Sequence, residues 1–234
     1  MTASQLKNLF ETMYTRIGGE SNRDVKWYLT GRPKVVSRQN FFEQAVWAIW
    51  VSGKSRDAAE TFLERAESNG FVWDFQEFAS WNDRRLSGFM ERLHATPVPQ
   101  RAVEMWGTIH DVAVEFTNYQ NERAFRRFYF GGKSKSVQLG SKEVEAIIAM
   151  EIKFVGEANA HFIVRNMGGE ALKCDRWVKE FIRHYGLTTD RLEQQLWKIK
   201  VRPGLFDVVL WAYCEKFVVK VKNLANHFNA LLSA

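Results

Sequence analysis

The chain has 234 residues, of which 46% are hydrophobic and 26% charged, with a net charge of +6 and a pI near 9.3. That length buries a core of one domain or two closely packed lobes, and the composition excludes a disordered chain. No run reaches the roughly eighteen apolar residues of a membrane span, and Cys174 and Cys214 alone build neither a disulfide framework nor an iron–sulfur site.

The opening MTASQLKNLFETMY has helical spacing and lacks the basic start and apolar core of a secretory signal, so an intracellular, cytoplasmic protein is expected. Lys34 to Val36 admits a short strand. Phe41 to Val51 is an apolar segment of helix length, with only Glu43 and Gln44 polar inside it. Ser55 then caps a helix whose Ala58, Phe62 and Ala66 form a stripe, and Asn69-Gly70 stops it. Trp73 to Ala79 and Asp83 to Leu93 read as shorter helices, the second ending before Pro97 and Pro99. Val103, Trp106, Ile109, Ala113 and Phe116 place a long helix over Ala102 to Phe116. RFYFGG (Arg127 to Gly132) is the second place for a short strand, and a loop with Lys133 and Lys135 follows.

Ser141 opens a helix through Val144, Ile147 and Ile148 to Glu151. A tight turn at Val155-Gly156 leads into an apolar helix from Ala158 to Met167, and Gly168-Gly169 breaks it. Cys174-Asp175 begins the next helix, Arg176 to Tyr185, followed by Asp190 to Lys198 and one long helix over Leu205 to Leu232. Asp175 stands at a helix N-cap, where a carboxylate accepts backbone N–H bonds at the positive end of the helix dipole and is held in one orientation. That suits a group that must meet developing positive charge. It also suits a plain capping residue.

The unit from Ile152 to Val178 resembles the helix-hairpin-helix DNA glycosylases. The family hairpin reads L-P-G-V-G-x-x-x-A, and Ile152, Lys153, Phe154, Val155, Gly156 and Ala160 occupy those places. Asp175 falls fifteen positions after Ala160, where the family has its catalytic aspartate, and Val178 follows at the family spacing. Phe154 replaces the first hairpin glycine, and Glu157 stands where a small or basic residue usually faces a phosphate. The loop after Phe41 to Val51 corresponds to the one that carries a wedge amide in relatives, with Gly53 or Lys54 in its place.

The resemblance implies an all-α fold with at most a short β ribbon: two helical lobes, a helix-hairpin-helix (about 143–168) and a cleft between the lobes. Residues 1–37 would be a helical extension packing with the C-terminal lobe, 38–170 the lobe ending in the hairpin, and 171–234 the lobe opening on Asp175. The implied activity is excision of a modified or damaged base, flipped out of duplex DNA, by a monomeric enzyme. Asp175 would stabilise the oxocarbenium-like sugar and take a proton from water. Members that nick the strand carry a lysine where Ala158 stands, so a monofunctional enzyme is expected, with Lys153 and Lys173 as the other amines of the region. Double-stranded DNA would be held by Lys153, Val155, Gly156, Glu157, Ala158 and Asn159, with Gly53, Lys54, Lys133 and Lys135. Trp177, Gln44 and Trp47 would line the base pocket, although Trp47 also suits a core and Gln44 a surface amide. The five histidines lack zinc-ligand spacing. No cofactor or metal is expected beyond at most a monovalent cation at the hairpin. Two other classes remain: group transfer to hypermodified thymine in viral DNA, and a non-catalytic DNA-binding module.

Overall fold

The computed structural model describes residues 1–33, 36–52, 55–94, 96–130, 142–170, 172–218 and 223–232. Among the described residues the fold is all-α, with fourteen helices and no strand. In chain order these are α1 (Ala3–Ile17), α2 (Arg23–Lys26), α3 (Arg38–Val51), α4 (Arg56–Ser68), α5 (Phe75–Ala79), α6 (Asp83–Leu93) and α7 (Gln100–Asn118), with a 3-10 turn (Gly19–Ser21) before α2 and a π-type turn (Trp27–Gly31) after it. Then come α8 (Glu122–Phe130), α9 (Lys142–Glu151), α10 (Glu157–Asn166), α11 (Arg176–Tyr185), α12 (Thr189–Lys198), α13 (Pro203–Phe217) and α14 (Leu224–Leu232). No helix of the described residues is long and apolar enough to cross a membrane.

Two compact units share the chain. The first takes residues from Met1–Pro33 and Val164–Ala234, and the second from Lys34–Val137 and Ser141–Ile163. The N-terminal helices therefore belong with the C-terminal ones, and the division falls inside α10 instead of after residue 170.

In the first unit α1 packs along α13. The Thr2 hydroxyl and Gln5 amide form a reciprocal capping box at the start of α1, so Leu6, Leu9 and Met13 are presented on one face. They meet Phe181, Phe206, Leu210 and Phe228 in a core with almost no exposure. The long helix expected over Leu205 to Leu232 is instead two. It starts earlier, with Pro203 at the first position, where a missing N–H costs nothing. It ends at Val218, whose β-branched side chain is buried in an extended conformation (φ −110°, ψ 99°).

The second unit is built on aromatic packing. Trp106 of α7 is fully buried, with ring centroids of Phe89, Trp50 and Phe71 at 4.8, 5.1 and 5.1 Å. Phe41, Phe116, Phe125 and Tyr129 form a second cluster joining α3, α7 and α8. That cluster corrects the strand expected at Arg127 to Gly132, of which residues 127–130 belong to α8. Asn121 accepts from the N–H groups of Arg123 and Ala124, starting a helix. Phe125 and Tyr129, four apart, then bury one face of it, so helical period outweighs the β preference of the aromatics. Of the strand expected at Lys34 to Val36, only Val36 lies among the described residues, and it is not in a strand. Arg38 fastens the C-terminal end of α7: Nη1 donates to the carbonyls of Phe116 and Tyr119 at 3.0 and 2.9 Å, and Nε to Glu122 at 2.7 Å.

Trp106→Ala removes the centre of the first cluster. It should cost about 3–5 kcal/mol, read as a fall in the midpoint of denaturant unfolding.

Candidate active site

The hairpin lies in the second unit, between α9 and α10. Ile152 ends the α9 hydrogen-bond ladder on the carbonyl of Ile148, and the Val155 N–H closes a turn on the carbonyl of Ile152 at 3.0 Å. Both side chains are buried and anchor the turn. Phe154 takes a left-handed conformation (φ 69°), which normally favours glycine. It does so at the place where the resembled pattern has its first glycine, and a non-glycine residue there carries backbone strain. Gly156 is exposed, and a side chain there would meet nothing within 4 Å. The N–H groups of Gly156, Glu157 and Ala158 precede the first intrahelical acceptor of α10, as they do at any helix start. The amide of Asn159 donates to the carbonyl of Ala48 at 3.0 Å, tying α10 to α3.

The other hairpin residues are placed less simply. Lys153 Nζ pairs with Glu104 at 3.1 Å, and both side chains are exposed, so the pair holds the lysine only weakly. Glu157 is exposed and Ala158 half-buried. On α3, Gln44 and Trp47 are half-buried and three residues apart, on one side of a helix whose other side buries Phe41, Phe42, Ala45 and Ile49. Trp47 is therefore not core; Trp50 is. Gly53, Lys54, Lys133 and Lys135 lie outside the described residues.

Asp175 lies in the first unit, at the N-cap of α11. Its Oδ1 accepts from the backbone N–H groups of Trp177 and Val178 at 2.8 and 3.3 Å. Its own N–H donates to the carbonyl of Lys173 at 2.6 Å, closing a three-residue turn. The turn brings Lys173 Nζ to 4.0 Å from Asp175 Oδ2, and the two side chains keep only 17% and 16% exposure. Burial pulls the Lys173 ammonium below the usual lysine range. Asp175 opposes that shift, Arg165 reinforces it, and Asp207 and Glu215 oppose it.

Behind this pair lies a buried one that the sequence reading missed. Arg165 of α10 bonds Asp207 of α13, and Arg165 Nε and Nη2 both reach Asn166 Oδ1 at 3.2 Å. Asp207 is 1% exposed and Arg165 9%. The signal was present: each is a lone charge inside an apolar helix, IVRNM and LFDVVL, and such charges are buried only when paired.

Trp177 corrects an expectation. It is 3% exposed within the core of the first unit. Its Nε1 donates to Glu215 at 3.1 Å, and the Arg176 guanidinium lies 4.6 Å from its ring centroid. It supports α11 and offers no open face for a base to stack on.

The loop before Asp175 is braced by the N-terminal segment. Arg32 Nη1 donates to the carbonyls of Arg165 and Gly169 at 3.1 and 3.0 Å. Tyr28, fully buried, bonds Glu170 through its hydroxyl, and Arg32 stacks on the Tyr28 ring at 3.7 Å. Tyr28 and Arg32 thus hold the end of α10 and the residues through Glu170.

No group of three or more His, Cys, Asp or Glu able to hold a metal occurs among the described residues. Comparison with family models, with curated proteins and with solved structures returns no match.

Burial pushes the Asp207 carboxyl up to about 6, against the opposing pull of Arg165. A raised value in the fold means that the protonated form is the better tolerated. The contribution of Asp207 to stability is then full below its unfolded value and is lost as pH rises through about 6. The stability of wild type minus that of Asp207→Asn should fall between about pH 4 and pH 6. A flat difference across that window would show that the ion pair at least offsets burial.

Proposed function

We propose that the chain is a DNA N-glycosylase, with Asp175 as its catalytic carboxylate. The observation that carries this reading is the setting of Asp175: one oxygen is pinned by two backbone N–H groups, and the other looks towards a partly buried ammonium. Cleaving an N-glycosidic bond leaves positive charge on the sugar, and a fixed carboxylate in a shielded place stabilises it strongly because no solvent reorganisation is needed. The same carboxylate accepts a proton from the attacking water. The mechanism draws on protein groups and water alone.

Recognition of double-stranded DNA is assigned to the hairpin of the second unit. The start of α10 offers N–H donors to a phosphate, and the left-handed Phe154 keeps the turn that presents them. No amine stands at Ala158, which supports a monofunctional enzyme, with Lys153 and Lys173 as the other amines of the region. The net charge of +6 agrees with a polyanionic partner.

The activity is read as alkali-labile abasic sites. Synthetic duplexes with damaged bases, phage DNA with hypermodified bases and plain duplex are incubated with the protein and then treated with alkali. Cuts confined to one class of DNA support the reading and identify the substrate class. No cuts in any class overturn it in favour of group transfer or simple binding. Asp175→Asn still accepts at the N-cap, so its stability should change by about 1 kcal/mol at most. Its single-turnover excision should fall on the order of a hundredfold to ten-thousandfold. Excision at the wild-type rate by the folded variant would remove Asp175 from the mechanism.

Binding has its own measurements. With four to six phosphates neutralised, log affinity should fall against log salt with a slope of about −4 to −5. Gly156→Val has room for its side chain and should fold normally while binding duplex DNA more weakly. A flat salt response, or unchanged affinity in that variant, would take DNA away from the hairpin.

A further inference from the structure

Of the nine tryptophans two are exposed, and both belong to the first unit: Trp197 on the last turn of α12 (53%) and Trp27 on the π-type turn (37%). Each has an exposed lysine beside it in the chain, Lys198 and Lys26. The Trp27 indole lies on Gly31, where a Cβ would come within 2.7 Å of its ring. After Trp197 the chain reads KIKVRP, with no acidic residue before Asp207. Ile199 and Val201 pack on the core, while Lys198 and Lys200 are exposed and Arg202 keeps 41% of its side chain in solvent. The Arg202 guanidinium lies 5.1 Å from the ring centroid of Tyr28, the residue next to Trp27, so the two segments meet there. A lysine in the last turn of a helix suits the dipole, and Lys198 meets that need. Lys200 is different. It takes a left-handed conformation (φ 60°) where α12 closes, its N–H and that of Val201 donating to the carbonyls of Trp197 and Leu196 at 3.1 and 2.9 Å. Helices α1 and α11 end on glycines in that conformation, Gly18 and Gly186. A lysine there carries strain that glycine avoids, and it keeps a cation in solvent three residues from an open indole.

We propose that these two joined segments bind an unpaired DNA strand, with Trp197 and Trp27 stacking on bases and Lys198, Lys200 and Arg202 taking phosphates. Bases inside a duplex are stacked on one another, whereas each base of a single strand has a face to offer an aromatic ring. Cations alone would suit any polyanion; indoles beside them favour one that carries flat rings at short intervals. Stacking and phosphate contacts carry no base identity, so binding tolerates any sequence. The surface uses neither the hairpin nor Asp175. Only the choice of DNA over RNA rests on the excision reading.

The test is the fluorescence anisotropy of a labelled oligothymidylate titrated with the full-length protein. With three cations on phosphates, log affinity should fall against log salt with a slope of about −2. Trp27→Ala/Trp197→Ala, checked for folding by circular dichroism, should weaken binding on the order of tenfold or more. The same variant should bind inorganic polyphosphate, which has no bases, as wild type does. Trp27→Phe/Trp197→Phe keeps the rings and should retain most of the affinity. Lys200→Gly relieves the strain, so its midpoint of denaturant unfolding should rise while its binding weakens about threefold. A lysine kept for the fold alone would not divide those two measurements, and this variant decides the matter even where the alanine pair fails to fold. Absence of binding by wild type, unchanged affinity in the folded alanine variant or in Lys200→Gly, or tighter binding of oligouridylate overturns the proposal. Gly156→Val should leave single-strand binding intact, which separates this surface from the hairpin. Single-strand binding without excision from any DNA would keep the surface and sink the glycosylase reading; excision without single-strand binding would do the reverse.

Discussion

The first unit depends on the ion pair between Arg165 and Asp207. Taking both charges out of water costs several kcal/mol per ion before any attraction is counted, and a pair of apolar residues of like volume would often serve stability as well or better. What the pair supplies is position. It joins the last turn of α10 to the first half of α13, and the loop carrying Lys173 and Asp175 is strung between α10 and α11. A change in the register of either helix would leave a buried charge alone, which is far costlier than a shifted leucine. The loop is thereby held at its upstream end by a contact that tolerates one geometry.

A second constraint converges on the same loop from the N-terminal segment. Gly204 has Tyr28 so close that a Cβ would come within 2.9 Å of its ring and its hydroxyl, and within 3.2 Å of Arg165. The absence of a side chain at Gly204 lets Tyr28 reach Glu170, and Arg32 and Arg202 then lie against the Tyr28 ring, with guanidinium carbons 3.7 and 5.1 Å from its centroid. Glu170 also pairs with both arginines, at 3.4 and 3.7 Å. A single carboxylate so shared holds Tyr28 and Arg32 against the turn at Gly168-Gly169, which itself closes α10 through the N–H groups of Gly168 and Gly169 on the carbonyls of Arg165 and Val164 at 3.2 and 2.9 Å.

How much of this was legible follows from where each signal lies. Helical elements with a one-sided apolar stripe, such as α4, α6 and α7, are local patterns, and the sequence places them to within a few residues. The N-cap role of Asp175 was legible for the same reason, since a cap is decided within four residues. The hairpin turn was legible in outline, but the left-handed Phe154 was not, because side-chain identity argued against it and the anchoring of Ile152 and Val155 overrode that preference. α8 was misread because RFYF has strand composition, while its fate was set by packing on Phe116 of α7 and on Phe41, which lies far away in the chain. The charge cluster was invisible as a cluster for a similar reason. Arg165, Lys173 and Asp207 belong to three segments, and only their meeting gives Lys173 its setting.

That setting costs stability at Lys173. A plain N-cap at position 175 requires an Asp or Ser and a solvated flank, and nothing about capping calls for a lysine two residues earlier with its side chain largely withdrawn from water. Burying that amine is unfavourable, and the adjacent carboxylates recover only part of the loss, since burial remains the dominant influence on Lys173. A sequence selected for stability alone would leave the lysine on the surface or replace it with an apolar residue. This local cost is set inside a frame that holds the loop from α10 and from the N-terminal segment. Trp177 fits the same logic from beneath: its indole fills the core and its N–H holds Glu215, adding a third carboxylate around the amine.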